Sequence, residues 1–316
     1  MREFLTEENF KTEMATAVLP YLFARRAEKT VSAPDGSALF TCHYAADGAR
    51  GTVVLVHGFS ENAEKYHEFI YYLLQEHLSV LIFDQRGHGR SARAAPVGVV
   101  HVSRFSDYVA DLEAILAAYD GELVTPLYLF AHSMGGAVAT LFLKKHRDVF
   151  KKAVLSAPMA DLQYRGITRL ACRAACRFCT LTGRAKRAVF ISKKDYENEP
   201  FERSSALSRA RFTYLRDQRR SDPLLSGGAP SYAWSAAALG VRGRILGRGV
   251  PEQLHLPVLL LSAEHEYLVN NAAQEALVAR LPQGRLRRVA GSKHEILFTN
   301  DEILHPVLGE ILDFLQ

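Results

Sequence analysis

Leu129-Phe130-Ala131-His132-Ser133-Met134-Gly135-Gly136-Ala137-Val138-Ala139 is an apolar run that breaks at a serine among small residues and then resumes at helical spacing. The pattern predicts a strand, a sharp turn and a helix, with Ser133 at the apex. Such a turn forces the serine into a strained backbone conformation. Only small side chains at Ala131, Gly135 and Gly136 then let strand and helix approach closely. The usual motif has Gly where this chain has Ala131, one methyl more and still compatible with the packing. Ser133 would stand above the sheet at the helix N-terminus, where the Met134 amide and the helix dipole favour developing negative charge. A strand–helix turn without chemistry has the same local signature, so the rest of the chain must decide.

Outward from that turn, strand-like and helix-like periods alternate. Strands are expected at Ala38–Tyr44, Thr52–His57, Ser79–Asp84, Leu127–His132, Ala153–Ala157, Val258–Ala263 and Leu286–Ala290. Helices are expected at Thr6–Ala27, Asn62–Glu76, Ser106–Tyr119, Met134–Arg147, Asn271–Leu281 and Asp301–Phe314. The alternation predicts an α/β fold, a mostly parallel sheet with helices on both faces. It fails between about residues 161 and 250, where the chain is Arg-rich and then Gly-rich. The expected organisation is a core of residues 1–160 and 251–316 with 161–250 inserted as a lid or cap.

Charge separates the same regions. Residues 160–250 hold 18 Lys and Arg against 7 Asp and Glu, and the remainder 21 against 27, within a whole-chain balance of +5. A basic lid over an acidic core suggests peripheral contact with an anionic membrane face, or a solvated surface and nothing more. The basic residues are not interleaved in any nucleic-acid-binding pattern, so no such partner is expected. At 316 residues and 48% hydrophobic, the chain can bury one large core, and no apolar run reaches the roughly 18 residues of a membrane span. The stretch Met1-Arg2-Glu3-Phe4-Leu5-Thr6-Glu7-Glu8 lacks the features of a secretory signal, which leads to the expectation of a cytoplasmic protein, peripheral on the cytoplasmic membrane face if the lid docks there. Four cysteines in this length do not make a disulfide framework.

Three further segments bear on Ser133. His57-Gly58-Phe59-Ser60 follows the apolar strand Val53–Val56, and its glycine allows a turn that brings the Phe59 amide beside that of Met134 as a second oxyanion donor. His57 itself reads as a buried structural imidazole. Asp84-Gln85-Arg86-Gly87-His88-Gly89-Arg90-Ser91 lacks the ending of a phosphate loop and reads as structural. Glu266 lies in a loop after the strand Leu259–Ala263, and His294 in a loop after Leu286–Ala290. The order Ser133, Glu266, His294 supplies nucleophile, orienting carboxylate and general base at strand C-termini, although Glu264 competes for the carboxylate role.

These segments together resemble the monoacylglycerol lipase and lysophospholipase branch of the α/β-hydrolases, with a serine aminopeptidase-like hydrolase domain. Arg104-Phe105-Ser106-Asp107-Tyr108-Val109, Ser156-Ala157-Pro158-Met159, Gly227-Gly228-Ala229-Pro230-Ser231-Tyr232-Ala233-Trp234 and His294-Glu295-Ile296-Leu297-Phe298 are similar to the bacterial membrane-associated lysophospholipases within it. The resemblance spans nearly the whole chain and is thinnest between Gln163 and Phe201. It implies an α/β-hydrolase fold, a lipid-like ester substrate, no cofactor or metal, Glu266 as the acid, and Ala131 as a variant of the closer relatives. Most of the wider family has Asp at the acid position, one methylene shorter. Another acyl hydrolase on the same triad (aminopeptidase, thioesterase or general carboxylesterase) and a catalytically silent lipid- or partner-binding α/β-hydrolase remain open.

Cys172, Cys176 and Cys179 have the spacing of an iron–sulfur ligand set. The same spacing puts three small apolar side chains on one helix face beside Arg169, Arg173 and Arg177, which is the preferred reading. Phe201, Phe212, Tyr214, Tyr232 and Trp234 are candidates to line an acyl groove or simply to pack the lid.

Overall fold

The computed structural model describes residues 2–163, 168–189 and 198–316. Parts of the 161–250 segment, and with them Arg165, Lys193 and Lys194, therefore lie outside the described residues. An eight-stranded sheet has the order β1 (Arg26–Ser32), β2 (Ala38–Tyr44), β4 (Ser79–Phe83), β3 (Thr52–Val56), β6 (Leu127–His132), β7 (Lys152–Ser156), β9 (Val258–His265), β10 (Gly284–Lys293). β2 pairs antiparallel with both neighbours, and every other pairing is parallel. The central strands are continuous apolar runs because both faces are covered: every residue of β3 and β4 is buried.

Alternation along those strands feeds two cores. Val54, Val56, Leu81, Phe83 and Leu129 pack on the face covered by α4 (Ser106–Ala118), α5 (Met134–Lys145) and α10 (Asn271–Val278). Val53, Leu55, Val80, Ile82 and Phe130 pack on the other face, against α3 (His67–Gln75), α11 (Asp301–Leu315) and an N-terminal helical stretch. That stretch comprises α1 (Phe10–Glu13), a wider turn at Met14–Val18 and α2 (Leu19–Phe23). It buries Phe10, Met14, Val18 and Leu22, one residue every four.

Two local expectations need correction. The leading helix stops at Phe23, and Arg26-Ala27 begin β1, an edge strand whose exposed polar residues hid it from a search for apolar runs. Residues 62–76 form a tight turn, Ala63–Tyr66, before α3 begins at His67.

Between β7 and β9 the described chain forms α6 (Arg169–Cys179), α7 (Arg209–Ser221), α8 (Tyr232–Ala238) and α9 (Val241–Ile245), packed over the C-terminal ends of the strands. A two-residue strand β8 (Ala229–Pro230) pairs with β5 (Val99–Val100), and Ser60 Oγ donates to Gly228 O at 2.6 Å. Arg211, 1% exposed, ties α7 to Glu68 at 2.8 Å and Asp301 at 2.9 Å. A buried guanidinium needs such partners, because isolated burial of a charge is costly.

Candidate active site

The turn at Ser133 forms where the sequence demanded it. Ser133 has φ 50° and ψ −116°, and the glycines behind it have no room for a side chain. A Cβ on Gly135 would sit 2.1 Å from Val56 O, and one on Gly136 would sit 2.5 Å from Pro158 Cβ. The first contact is with backbone of the strand that leads into His57-Gly58-Phe59, so the α5 N-terminus presses directly on that turn. Gly135→Ala is expected to lower stability by about 1–3 kcal/mol, because strand and helix must separate. A denaturant midpoint unchanged from the parent would refute that packing.

Four strand ends converge here. β6 delivers Ser133, β10 delivers His294, β9 delivers Glu266, and β3 delivers the Phe59 turn. His294 Nε2 lies 2.9 Å from Ser133 Oγ, and His294 Nδ1 lies 2.6 Å from Glu266 Oε2. The other Glu266 oxygen accepts from the amides of Tyr267 at 2.8 Å, Leu268 at 2.8 Å and Val269 at 3.3 Å. Those bonds seat the long carboxylate, whose side chain is 1% exposed. Glu264 is directed elsewhere: it accepts from the Gly291 amide at 2.7 Å, with its side chain 55% exposed.

Burial pulls the His294 pKa down, but the hydrogen bond and charge of Glu266 outweigh it, with Glu295 and Glu61 adding, and the net direction is up. Burial likewise works upward on Glu266, and the His294 bond and charge with the Leu268 and Val269 amides bring it below the usual carboxylate range. A base must be neutral to accept a proton. Activity is therefore expected to fall as pH drops through a value above that of an ordinary histidine, about 6.5. An acid limb of kcat/KM below 6 would contradict this geometry.

Among the described residues, no group accepts a hydrogen bond from the Phe59 or Met134 amide. Both are free to meet an oxyanion. His57, fully buried, braces their turn: the Gln85 amide donates to its Nε2 at 2.9 Å, so Nδ1 carries the proton and donates to Gly58 O at 2.7 Å. The Asp84 carboxylate closes the Asp84–Ser91 turn by accepting from the Arg90 amide at 2.8 Å and ties it to the turn before α3 by accepting from the Ala63 amide at 2.7 Å.

Ser133 and His294 open on a largely apolar cavity of about 590 Å³. Met159, Leu162, Cys172, Cys176, Leu215 and Leu239 contribute to its wall. Of the five aromatics singled out in the sequence, Phe212 and Trp234 line it, and Trp234 packs on Phe59 with ring centroids 4.3 Å apart and the planes tilted by 50°. Phe201 packs behind Phe212 at 5.4 Å. Tyr214 turns away and meets His67 Nδ1 through its hydroxyl at 2.9 Å, and Tyr232 lies off the wall at the start of α8. Cys172, Cys176 and Cys179 carry free thiols on α6, two of them on the cavity side.

Sequence reasoning missed a cluster beside these groups. Glu61, His132 and Glu295 bring ligand atoms within 4.8 Å of one another, the sole such grouping among the described residues. The Lys65 ammonium contacts both carboxylates, where a cation would otherwise sit. Glu61-x3-Lys65 was a visible i, i+4 pair, but nothing in the sequence marks Glu295 as its third member.

Residues 47–301 match the family model described as Serine aminopeptidase, S33. The chain belongs to that family. Lysophospholipase L2 of Escherichia coli K12 is 31% identical across 100% of this chain and 95% of that protein. The probable lysophospholipase L2 of Haemophilus influenzae is 31% identical across 84% of each chain. The fold is shared with a soluble variant of monoglyceride lipase from Saccharomyces cerevisiae, solved with a substrate analog, at a TM-score of 0.71, 18% identity and coverage of 92% and 94% of the two chains. The S33 chain thus has the α/β-hydrolase fold anticipated from its elements. Among the described residues, no helix is long and apolar enough to cross a membrane.

Proposed function

We propose that the chain is a serine hydrolase of lipid carboxylic esters, acting on lysophospholipids or monoacylglycerols. The observation that carries this is the Ser133–His294–Glu266 relay opening on an apolar cavity of about 590 Å³, a volume suited to an acyl chain. Ser133 Oγ attacks the ester carbonyl while His294 Nε2 takes its proton, and Glu266 stabilises the imidazolium. The Phe59 and Met134 amides hold the oxyanion, and His294 returns the proton to the departing alcohol. Water, deprotonated by His294, then releases the fatty acid from Ser133. No step calls for a metal or cofactor.

The names of the relatives support the substrate class, and residues 161–250 act in this reading as a lid. Release of fatty acid from lysophosphatidylcholine or monoolein by the purified protein tests it. Faster cleavage of aminoacyl amides, thioesters or short soluble esters would transfer the triad to an aminopeptidase, a thioesterase or a general carboxylesterase.

The finer proposal is that the lid meets an anionic membrane surface. Its charge excess supports this, as does the outer face of α6 and the following turn, where Leu170, Phe178 and Leu181 are 78%, 65% and 84% exposed beside Arg177 and Arg184. The opposite face of α6 walls the cavity, so docking would present the site to lipid. Binding to phosphatidylglycerol vesicles is expected to weaken steadily as salt rises from 50 to 500 mM. Salt-independent binding, or none, would remove the electrostatic part of the proposal.

A further inference from the structure

Beside Ser133 and His294 lies a charge cluster to which the mechanism above assigns no task. The Lys65 ammonium contacts Glu61 Oε1 on the turn that follows Phe59 and Glu295 Oε2 on the loop that carries His294, joining segments 230 residues apart. The Lys65 side chain is 2% exposed, that of Glu61 4% and that of Glu295 23%. Two carboxylates so close together at this depth are tenable only with a cation between them, since an unpaired buried charge costs several kcal/mol. The second Glu61 oxygen is also committed, accepting from the Gly58 amide at 2.7 Å and the Tyr66 hydroxyl at 2.6 Å. His132 Nε2 lies 3.5 Å from Glu61 and 3.7 Å from Glu295, with its ring 5.0 Å from that of His294.

Each partner adjoins one part of the machinery along the chain. Gly58 precedes the oxyanion donor Phe59, His132 precedes Ser133, and Glu295 follows His294. The Gly58 bond bears most directly on chemistry, because it anchors the peptide before the one that carries the Phe59 amide, and the carbonyl of that next peptide, Gly58 O, is held by His57 Nδ1 at 2.7 Å.

We infer that Lys65 is a positioning residue: by bridging Glu61 and Glu295 it clamps the oxyanion turn to the His294 loop and holds the Phe59 amide and the His294 imidazole in register about Ser133. The inference rests on the serine-hydrolase reading. A misplacement of about 1 Å between such groups costs on the order of 100-fold in rate, whereas an acyl chain would lie on the apolar lining of the cavity, such as Met159, Leu162, Leu215 and Leu239, to which Glu61 and Glu295 add only polar groups. The loss should therefore fall on the transition state and spare substrate binding.

The test compares full-length Lys65→Met and Lys65→Arg on a soluble ester, and measures inhibition by a trifluoromethyl ketone, which binds as a tetrahedral serine adduct and needs the oxyanion donors. Lys65→Met is expected to lower kcat by about 10- to 100-fold with KM within about twofold, and to weaken the ketone by the same factor as kcat/KM. Lys65→Arg should recover most of both, since it restores the bridging cation. Glu295→Gln removes the charge at one end of the bridge while leaving Lys65 paired with Glu61, so it guards against simple unfolding, and it should show the same split at smaller size.

Equal kcat and ketone affinity in parent and Lys65→Met, or losses in both variants that only track the folded fraction in urea melts, would overturn the clamp. Fluorophosphonate labelling of parent Ser133 separates the two levels. Without labelling the hydrolase reading itself fails, and with labelling but a parent-like Lys65→Met only the clamp fails.

Discussion

Ser133→Ala is expected to lower lipid-ester hydrolysis by about 10⁵- to 10⁶-fold and to abolish labelling by a fluorophosphonate. The substitution removes the one atom that can bond covalently to the acyl carbon, while the φ of 50° and the surrounding turn stay within reach of alanine. What survives is binding and oxyanion stabilisation, worth about 10³- to 10⁴-fold over uncatalysed hydrolysis. The substitution loses one hydrogen bond, between Ser133 Oγ and His294 Nε2, worth about 1 kcal/mol, so the thermal midpoint should fall by only a few degrees. Retention of more than about 1% of activity in a protein free of contaminating esterase would mean that another group attacks the ester.

Glu266→Gln should cost about 10⁴-fold for a different reason. The glutamine carbonyl can keep the Tyr267, Leu268 and Val269 amides that Glu266 Oε1 accepts, which leaves its NH₂ facing His294 Nδ1. That donor forces the imidazole to carry its proton on Nε2, toward Ser133, in the tautomer that cannot act as a base. The protein stays folded and the substrate still binds, so the loss falls on kcat. Glu264→Gln serves as the control, since Glu264 is directed to the Gly291 amide at 2.7 Å and to His265 at 3.9 Å, away from His294, and activity within about twofold of the parent is expected. A reversal, with Glu264→Gln inactive and Glu266→Gln active, would reassign the acid.

The parts of the fold that were legible are those in which local pattern and tertiary role coincide. β3 and β4 are buried along their whole length and read as apolar runs, and the turn at Ser133 reads as small residues because Gly135 and Gly136 have no space for a Cβ. The first two residues of β1 were read as the end of a helix and the rest as no element, because an edge strand keeps polar side chains and its pairing with β2 is not written in its own residues. β5 and β8, two residues each, are too short to carry a period. Ser133, Glu266 and His294 were legible through their chain order after strands. Glu61, Lys65 and Glu295 were not, because a contact across 230 residues arises from sheet topology, and each residue alone resembles a solvated charge. Of the five aromatics picked from residues 161–250, composition alone could not tell which two face the cavity.

The proposed hydrolysis begins with covalent attack by Ser133 on a lipid acyl group. The most direct measurement is acid-quench mass spectrometry of the purified protein turning over lysophosphatidylcholine, followed by peptide mapping. The predicted result is an acyl adduct on the peptide containing Ser133 that appears before free fatty acid, is absent from Ser133→Ala, and builds up when hydrolysis of the acyl-enzyme is slow. Fatty acid released at full rate with no adduct on Ser133, or an adduct mapped to another residue, would contradict the account.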